Sequence, residues 1–425
     1  MSAIFGIFNL DGRPVDLKDL SRMKQAMSYL GPDGSQIWAE GSVGLGHLMR
    51  YNTPESHHET LPLQSTEGRS VLTAVVRLDN REDLFSALKI PPAEQERMPD
   101  GALTFKAYDR WGTTCPDVLL GDWAFACWDV NKRRLFIARD HIGTGGLYYY
   151  QSRRMFAFAS SLKGLLALPN VPCCIDPEAI TWRFPGYRRG ASTIYKDILQ
   201  LTPGHAITIT AKKADLQCYW HPQDTPEVRF SSDDDYVDAF LEVYAEAVRC
   251  RLRSNCPVGV MLSGGLDSGS VAALASRELE QSGQRLFAFS SVPNYDVTET
   301  TPVGRCGDET PFIEAICDYA KNIDVTYIRA KRVTPMPGIK RGLEILGQPD
   351  LNAGNAYWLT ALFEAAQQRN ISTLLSGEWG NFTISWEGDR DTHLLSLLKK
   401  RRWRSLLREL NAWRDIHSLS FWGTF

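Results

Sequence analysis

The sequence predicts two domains, an α+β domain followed by an α/β domain built on a parallel β-sheet. Residues 221–235 (HPQDTPEVRFSSDDD) are polar and contain two prolines and an aspartate cluster, so we expect a linker that ends in a helix N-cap. Beyond it, short apolar runs alternate with stretches of helical periodicity. This alternation is typical of a parallel sheet with helices on both faces. The expected domains are residues 1–220 and 236–425.

Length and composition indicate a soluble globular protein. The 425 residues are 43% hydrophobic and 23% charged, with a formal net charge of −3, which argues against general nucleic-acid binding. No apolar run approaches the ~20 residues of a membrane span, and no signal-peptide pattern is present. The nine cysteines are scattered without CxxC pairs, which favours a reducing, cytoplasmic location. The histidines lack zinc-site spacing, so no zinc is expected.

The N-terminal half opens with an apolar run, residues 2–8, that predicts a buried strand. Removal of Met1 leaves Ser2 with a hydroxyl beside a free amine, the arrangement of N-terminal-nucleophile (Ntn) hydrolases. Further motifs follow: Gly31-Pro32-Asp33-Gly34, Leu45-Gly46-His47, residues 121–125 with Trp128-Asp129, and residues 139–143 with residues 147–149. In this order and spacing they resemble the glutaminase domain of class B asparagine synthetases. The resemblance implies an Ntn-hydrolase-like αββα sandwich.

Three positions depart from what glutaminase activity requires in that family. Ser2 stands where the active members carry a cysteine, and a serine is a much weaker nucleophile at neutral pH. The Asn-Gly pair of the oxyanion hole falls on Val75-Val76, and the arginine that holds the glutamine carboxylate falls on Met49. Only Asp100 matches the residue that holds the substrate amine. We therefore expect a glutaminase fold without glutaminase activity.

Two segments resemble one branch of the superfamily. Asn80-Arg81-Glu82-Asp83 and Thr53-Pro54-Glu55-Ser56 are similar to segments of the asparagine-synthetase-like proteins that close lasso peptides. Those proteins also lack the glutaminase cysteine. The resemblance implies a precursor peptide as substrate and a companion protease as partner.

The C-terminal half is predicted to alternate strands and helices. An amphipathic helix starts at Tyr236, and helices are expected over residues 309–319 and 357–368. Strands are expected over residues 258–262, 286–292, 325–328 and 373–375. Ligands of such sheets bind beyond the carboxyl ends of the strands. Residues 263–268, Ser290-Ser291 and Ser376-Gly377-Glu378 all lie at such ends of predicted strands.

Residues 263–268 (SGGLDS) connect a strand to a helix in a way that favours an anion. The two glycines let the backbone approach a ligand closely, and backbone N–H groups converge where the helix begins. The turn resembles the pyrophosphate-binding loop (PP-loop) of N-type ATP pyrophosphatases, which cleave ATP to AMP while activating a carboxyl group. That resemblance assigns Ser263, Gly264, Gly265, Asp267 and Ser268 to pyrophosphate and Mg²⁺, and it places Leu262, Ser291 and Gly377 beside the nucleotide. The plainer interpretation is an ordinary glycine-rich turn.

Residues 376–381 (SGEWGN) align with the SGEGSDE loop of asparagine synthetases. The alignment places Ser376 and Gly377 on ATP and makes Glu378 a candidate general base. Asn381 replaces the family's second Mg²⁺-binding aspartate, and a neutral amide oxygen is a weaker ligand for Mg²⁺. The alternative for Glu378 is a solvent-exposed loop carboxylate.

Three further features leave alternatives open. Asp308-Glu309 either cap a helix or reach ATP or a substrate amine. Phe382 and its neighbours suggest an apolar acceptor pocket, or else they pack in the core. The basic run Lys399–Arg404 is either one solvated face of an amphipathic helix or a surface for an anionic peptide.

The resemblance implies an ATP- and Mg²⁺-dependent carbon–nitrogen ligase that adenylates a carboxylate. Family members extend further and carry a lysine for the adenylating transition state, and Lys399 and Lys400 lie too early to match it. Truncation, a second polypeptide or loss of catalysis are the alternatives. The favoured hypothesis is macrolactam closure of a lasso peptide with the substrate's own amine. Asparagine synthesis is the second, and a non-catalytic nucleotide- or peptide-binding remnant is the third.

Overall fold

Two antiparallel sheets and one parallel sheet form the framework of the protein. The computed structural model describes residues 2–183, 190–302, 306–331, 334–349, 353–385 and 390–417. Within these residues no helix combines the length and apolarity needed to cross a membrane.

The described residues of the N-terminal half form two six-stranded sheets. Their strands are β1 (Ala3–Asn9), β2 (Gly34–Glu40), β3 (Val43–Met49), β4 (Leu63–Gln64), β5 (Ser70–Leu78), β6 (Gly121–Asp129), β7 (Arg134–Arg139), β8 (Tyr148–Gln151), β9 (Met155–Ala159), β10 (Ile198–Gln200), β11 (His205–Ile209) and β12 (Ala214–Cys218). One sheet has the order β10-β8-β9-β1-β3-β2, and the other has the order β12-β11-β7-β6-β5-β4. The predicted first strand is β1, which lies inside its sheet between β9 and β3.

Helices cover the outer faces of both sheets. Those before residue 220 are α1 (Leu17–Ala26), α2 (Arg81–Leu88), α3 (Pro92–Gln95), α4 (Asp100–Trp111), α5 (Leu162–Leu166) and α6 (Pro177–Arg183). Alternate residues of β1 face opposite ways, as the pleat of a strand requires. Ile4 and Phe8 pack between the two sheets, whereas Phe5 and Ile7 pack against α1 and α5. The second sheet packs in the same way against α2 and α4. The predicted αββα sandwich is confirmed.

One of the sequence motifs has a structural role in this sandwich. The Asp140 carboxylate is fully buried and accepts hydrogen bonds from the backbone N–H groups of Ile142 (3.1 Å), Gly143 (2.6 Å) and Thr144 (3.3 Å). Arg139 donates to the carbonyl oxygens of Leu201 and Gly143. The motif at residues 139–143 therefore holds the turn that follows β7.

The C-terminal half forms a four-stranded parallel sheet with the order β15-β14-β13-β16. Its strands are β13 (Val258–Met261), β14 (Leu286–Ser291), β15 (Ile323–Ile328) and β16 (Thr373–Leu375). Its helices are α7 (Asp233–Arg251), α8 (Leu266–Gln281), α9 (Thr310–Ala320), α10 (Pro335–Leu346), α11 (Ala356–Gln368), α12 (Gly380–Thr383), α13 (Arg390–Lys399) and α14 (Trp403–His417). The predicted parallel sheet is confirmed.

The helices cover both faces of the parallel sheet, as predicted. Helices α7, α8 and α9 contribute to a core on one face, where Val271 and Ile313 are buried. Helix α11 covers the other face through Leu362 and Ala366. The chain adds β14 and β15 on one side of β13 and then crosses to place β16 on its other side. This reversal is a topological switch point, where α/β sheets bind their ligands.

Helix α7 connects the two halves. Its N-cap is Ser232, whose hydroxyl accepts from the Asp235 N–H (3.2 Å), while the Asp235 carboxylate accepts from the Ser232 N–H (3.1 Å). This reciprocal pair is a capping box. The apolar residues of α7 differ in burial along the helix. Val248 near its end is buried, whereas four residues near its start are exposed: Tyr236, Val237, Phe240 and Leu241.

Arginines at the end of α7 and on β5 hold the halves together. Arg77 donates to the carbonyl oxygen of Arg253 (3.0 Å). Arg251 pairs with Asp79 (2.7 Å), and Arg253 pairs with Asp100 (2.7 Å). These contacts fix the parallel-sheet domain against the edge of the sandwich.

Candidate functional site

The SGGLDS turn lies at the carboxyl end of β13, and its two serines bond each other. The hydroxyl oxygens of Ser263 and Ser268 are 2.8 Å apart, and the Ser263 N–H donates to the Ser268 hydroxyl (3.0 Å). Gly265 is the N-cap of α8, so the first turn of the helix directs its N–H groups toward this loop. The turn has the composition and position of an anion-binding loop.

The loop that follows β16 packs directly against this turn. A Cβ atom on Gly377 would lie 2.5 Å from the Ser268 nitrogen, and one on Gly380 would lie 2.3 Å from the Asp267 Cγ. Neither position has room for a side chain. The two predicted loops therefore meet at the switch point between β13 and β16.

The predicted Mg²⁺ ligands, Asp267 and Asn381, both lie within reach of one hydroxyl group. The Ser385 hydroxyl donates to the Asp267 carboxylate (2.7 Å) and lies 3.4 Å from the side-chain oxygen of Asn381. The structure thus brings Asp267 and Asn381 together. Ser385 was not among the residues predicted from the sequence, because it follows the aligned motif and carries no spacing signal of its own.

The remaining predicted nucleotide residues lie at the ends of neighbouring strands. Leu262 is buried and donates its N–H to the Phe289 carbonyl oxygen (3.1 Å), which extends the sheet by one bond. Ser291 is exposed at the end of β14. The hydroxyl of Ser290 before it is buried and, within the described part of the chain, has no hydrogen-bond partner.

The loop after β16 presents Glu378 to solvent beside an exposed tryptophan. The Glu378 N–H lies 3.4 Å from the Ser376 hydroxyl, and its side chain is exposed. Trp379 has a φ of 68°, in the left-handed region, and stands where the resembled SGEGSDE loop has a glycine. Its ring lies 5.6 Å from that of Phe382. Phe382 is 79% exposed, so the expectation of core packing is wrong for this side chain; Trp386 lies outside the described residues.

Asp308 and Glu309 have separate roles. The Asp308 carboxylate accepts from the Thr310 N–H (3.0 Å) and hydroxyl (2.6 Å), and these bonds lower the pKa of Asp308. Glu309 instead accepts from the Gly264 N–H of the PP-loop (2.9 Å). The capping interpretation holds for Asp308, and the interpretation as a site residue is favoured for Glu309.

The basic run does not follow one helix as expected. Helix α13 ends at Lys399, Arg401 has a φ of 54°, and α14 begins at Trp403. The run therefore lies on the exposed turn between two helices. It is not one face of a single helix.

In the N-terminal domain, the Ser2 hydroxyl is held by the backbone of Arg50. The Arg50 N–H donates to the Ser2 oxygen (2.9 Å), and the Ser2 hydroxyl donates to the Arg50 carbonyl oxygen (3.3 Å). The adjoining cavity, lined in part by Met49 and Val76, has a volume of about 20 Å³. That volume admits about one water molecule.

Asp100 lines this cavity, but its carboxylate is engaged by arginines. It pairs with Arg81 and Arg253, and it accepts from the Leu78 N–H (3.0 Å). The side chain is 4% exposed. The residue that the resemblance assigns to a substrate amine is thus bonded to two guanidinium groups of the protein itself.

Two titratable residues of the cavity wall, His47 and Glu59, were not assigned a role from the sequence, although His47 belongs to one of its motifs. Burial raises the pKa of Glu59 to about 7, although its carboxylate accepts from the Gly101 N–H (3.2 Å). Burial also lowers the pKa of His47 to about 4. Glu59 lies in the polar stretch HHET, which predicts exposure, so only tertiary packing distinguishes it.

The sequence matches two known domain families in succession. Residues 1–220 match the glutamine amidotransferase domain family, and residues 239–420 match the asparagine synthase family. The chain is 32% identical over 269 residues to "Asparagine synthetase [glutamine-hydrolyzing] 3" of Bacillus subtilis (strain 168), a match that covers 62% of this chain and 43% of that protein.

Two further relatives extend the comparison. "Putative asparagine synthetase [glutamine-hydrolyzing] 2" of Methanocaldococcus jannaschii is 27% identical over 340 residues, with coverage of 76% of this chain and 63% of that protein. The solved glutamine phosphoribosylpyrophosphate amidotransferase of B. subtilis has a TM-score of 0.39 at 12% identity, with coverage of 91% of this chain and 94% of that one. The chain spans about half the length of the two asparagine synthetase relatives, 43% and 63%. It belongs to the asparagine synthetase superfamily, with a glutamine amidotransferase domain followed by an asparagine synthase domain.

Proposed function

We propose that this protein is an ATP-dependent, AMP-forming carbon–nitrogen ligase that joins a substrate carboxylate to an amine of the same substrate, as in lasso-peptide macrolactam closure. The observation that carries the proposal is the meeting of two loops at the switch point of the parallel sheet. Gly377 lies against Ser268, and Gly380 lies against Asp267. The loop assigned to pyrophosphate is thereby brought against the loop that carries Glu378.

The residues present fit a magnesium ion. Mg²⁺ is bound in phosphate sites through one or two protein oxygens, with substrate oxygens and water completing its shell. The Asp267 carboxylate and the Asn381 amide oxygen, both within reach of the Ser385 hydroxyl, would supply the protein's share. When bound, the ion would neutralise charge on the phosphate oxygens.

The proposed reaction has two steps. A carboxylate oxygen of the substrate attacks the α-phosphorus of ATP, the α–β phosphoanhydride bond breaks, and an acyl-adenylate and pyrophosphate form. Ser263, Gly264, Gly265 and Ser268 hold the departing pyrophosphate through N–H and hydroxyl donors. A substrate amine then attacks the acyl carbon, AMP leaves with the bonding electrons, and Glu378 accepts the amine proton.

The N-terminal domain supports a substrate-borne amine over one released from glutamine. The Ser2 hydroxyl is bonded to the Arg50 backbone, and the adjoining cavity admits about one water molecule. Asp100 is paired with two arginines. A bound glutamine would require all three arrangements to change.

The mouth of the site supports a peptide over free aspartate. Trp379 and Phe382 are 69% and 79% exposed and lie on the loop that carries Glu378. Aromatic side chains there match apolar side chains of a peptide substrate. Under this proposal the natural partners are a precursor peptide and the protease that trims it.

Substrate-dependent ATP–pyrophosphate exchange with Mg²⁺ tests the proposal. Exchange with a peptide carboxylate that disappears in Asp267→Ala establishes adenylation. Exchange with aspartate, with either glutamine hydrolysis or free ammonia as the source of nitrogen, favours the second candidate, asparagine synthesis, which the names of the relatives suggest. Absence of exchange with every carboxylate in a folded protein contradicts both and favours a nucleotide- or peptide-binding remnant.

A further inference from the structure

Glu309 places a carboxylate on the pyrophosphate-binding loop. Its Oε2 atom accepts a hydrogen bond from the backbone N–H of Gly264 at 2.9 Å. Gly264 is one of the donors that the proposed function assigns to the departing pyrophosphate. A carboxylate oxygen and a phosphate oxygen make the same kind of charge-assisted bond to a backbone N–H group. One N–H group therefore has two possible anionic partners.

The local helix does not require Glu309 in this position. Glu309 is the N-cap residue of α9, yet its side chain makes no capping bond. That role belongs to Asp308, which accepts from both the N–H and the hydroxyl of Thr310. The Glu309 carboxylate therefore serves the loop and not its own helix.

Packing fixes the backbone of α9 beside the loop. A Cβ atom on Gly264 would lie 2.8 Å from the Phe312 Cβ and 3.1 Å from the Glu309 Cβ. The first turn of α9 is thus in direct contact with the loop backbone. Glu309 cannot move far from Gly264, although its exposed side chain is able to rotate away.

We propose that Glu309 is an internal competitor of pyrophosphate for the Gly264 N–H, and that it lowers the affinity of the loop for Mg²⁺-pyrophosphate. The inference rests on the proposed ligase function, in which pyrophosphate is the first product and has to leave. A phosphate oxygen that binds Gly264 displaces a carboxylate, which then remains nearby and repels it. Glu309 accordingly favours product release at the cost of weaker nucleotide binding.

Calorimetric titration of the full chain with Mg²⁺-pyrophosphate and with Mg²⁺-ATP tests the competition. Glu309→Gln keeps a neutral acceptor but removes the charge, and we expect pyrophosphate to bind roughly three- to tenfold more tightly, since bonds to charged groups exceed neutral ones by about 1 kcal/mol. Asp308→Asn is the matched control. It removes a charge one residue away, keeps a capping side chain, and leaves the Gly264 bond intact.

The outcomes separate this inference from the proposed function. Unchanged or weaker pyrophosphate binding in Glu309→Gln, or equal tightening in Asp308→Asn, overturns the competition while the ligase function stands. If the wild-type protein binds neither Mg²⁺-pyrophosphate nor Mg²⁺-ATP, the competition and the proposed ligase function are both overturned. Hydrogen exchange gives a readout that needs no ligand, since Glu309→Ala should accelerate exchange of the Gly264 amide whereas Asp308→Asn should not. An unchanged Gly264 amide in Glu309→Ala also contradicts the inference.

Discussion

Glu59 is a carboxyl group whose burial makes the stability of the N-terminal domain depend on pH. Its folded-state pKa of about 7 lies above its ordinary value of 4.5. The folded state therefore keeps the Glu59 proton to a higher pH than the unfolded state does. The stability that this proton gives is fully present below about pH 4.5 and is lost as the pH rises through 7. Glu59→Gln resembles the protonated form at every pH. We expect the free energy of unfolding of Glu59→Gln, relative to that of the wild type, to rise by about 3 kcal/mol as the pH increases from 5 to 8.

Urea denaturation of both proteins at pH 5 and pH 8 measures this difference. The His47 imidazole, whose pKa burial lowers to about 4, titrates alike in both proteins and cancels in the comparison. Glu67→Gln removes an exposed carboxylate that pairs with Arg69 and is the control, and it should reproduce the wild-type difference between pH 5 and pH 8. A constant offset between wild type and Glu59→Gln would contradict the raised pKa.

Trp379 is a second residue with a measurable effect on stability, because its backbone lies in the left-handed region. A non-glycine residue in the left-handed region costs about 1–2 kcal/mol, and the exposed ring recovers little of that through packing. Trp379→Gly should therefore raise the free energy of unfolding by about 1 kcal/mol. Asn370→Gly is the control, because Asn370 has a φ of 55° and asparagine tolerates this region. A loss of stability in Trp379→Gly would mean that its ring contact with Phe382 outweighs the strain.

At the scale of elements, the contact between the two strand-end loops predicts a sharp steric effect. A methyl group at Gly380 would lie 2.3 Å from the Asp267 Cγ and 2.7 Å from its Oδ2. Gly380→Ala must therefore move the carboxylate, and a displacement of about 1 Å lowers activity about 10²-fold. ATP–pyrophosphate exchange measures the loss. Gly342→Ala in α10, where a new methyl group meets no atom of the described residues within 4 Å, should keep full exchange. Near-normal exchange in Gly380→Ala would exclude Asp267 from the reaction.

Local sequence patterns predict most of the elements around this site. The strand at residues 373–375 was predicted with its observed bounds, and the helix at 357–368 differs by one residue. Both carry uninterrupted apolar periodicity, which is a local property. Helix α10 was not predicted, because its two prolines and two glycines interrupt the helical pattern. Its position depends on contacts with distant residues, such as the bond from the Tyr29 hydroxyl to the Ile345 carbonyl oxygen (3.0 Å).

The sequence likewise identifies the site residues that are adjacent in the chain but not those that are brought together by packing. The sequence identifies the SGGLDS turn because its glycines and hydroxyls are adjacent in the chain. It does not distinguish Asp308 from Glu309, since both carry the charge that a helix N-terminus attracts. Nor does it reveal that Arg253 reaches Asp100, from which it is separated by 153 positions. Such pairs are formed only when the two domains pack.

At the scale of the whole molecule, Arg253 connects the wall of the cavity beside Ser2 to the parallel-sheet domain. Its guanidinium pairs with Asp100 (2.7 Å) and Glu55 (2.9 Å), and the three side chains are 19%, 4% and 12% exposed. Removal of one partner from a buried charged network costs about 3 kcal/mol, and here it leaves Asp100 and Glu55 to share the Arg81 guanidinium. Arg253→Met should therefore lower the free energy of unfolding by that amount. It should also separate the unfolding of the N-terminal domain from that of the parallel-sheet domain.

Arg249→Met, in the last turn of α7 and four residues before Arg253, supplies the matched comparison. Arg249 pairs with Glu246 at the surface, where the two side chains are 61% and 55% exposed, so its loss should change stability by less than about 1 kcal/mol. Urea denaturation followed by domain-specific hydrogen exchange distinguishes one transition from two. If Arg253→Met unfolds in a single transition at the midpoint of Arg249→Met, the network does not couple the domains. A split transition would mean that Asp100 joins the sandwich to the sheet that carries the SGGLDS turn.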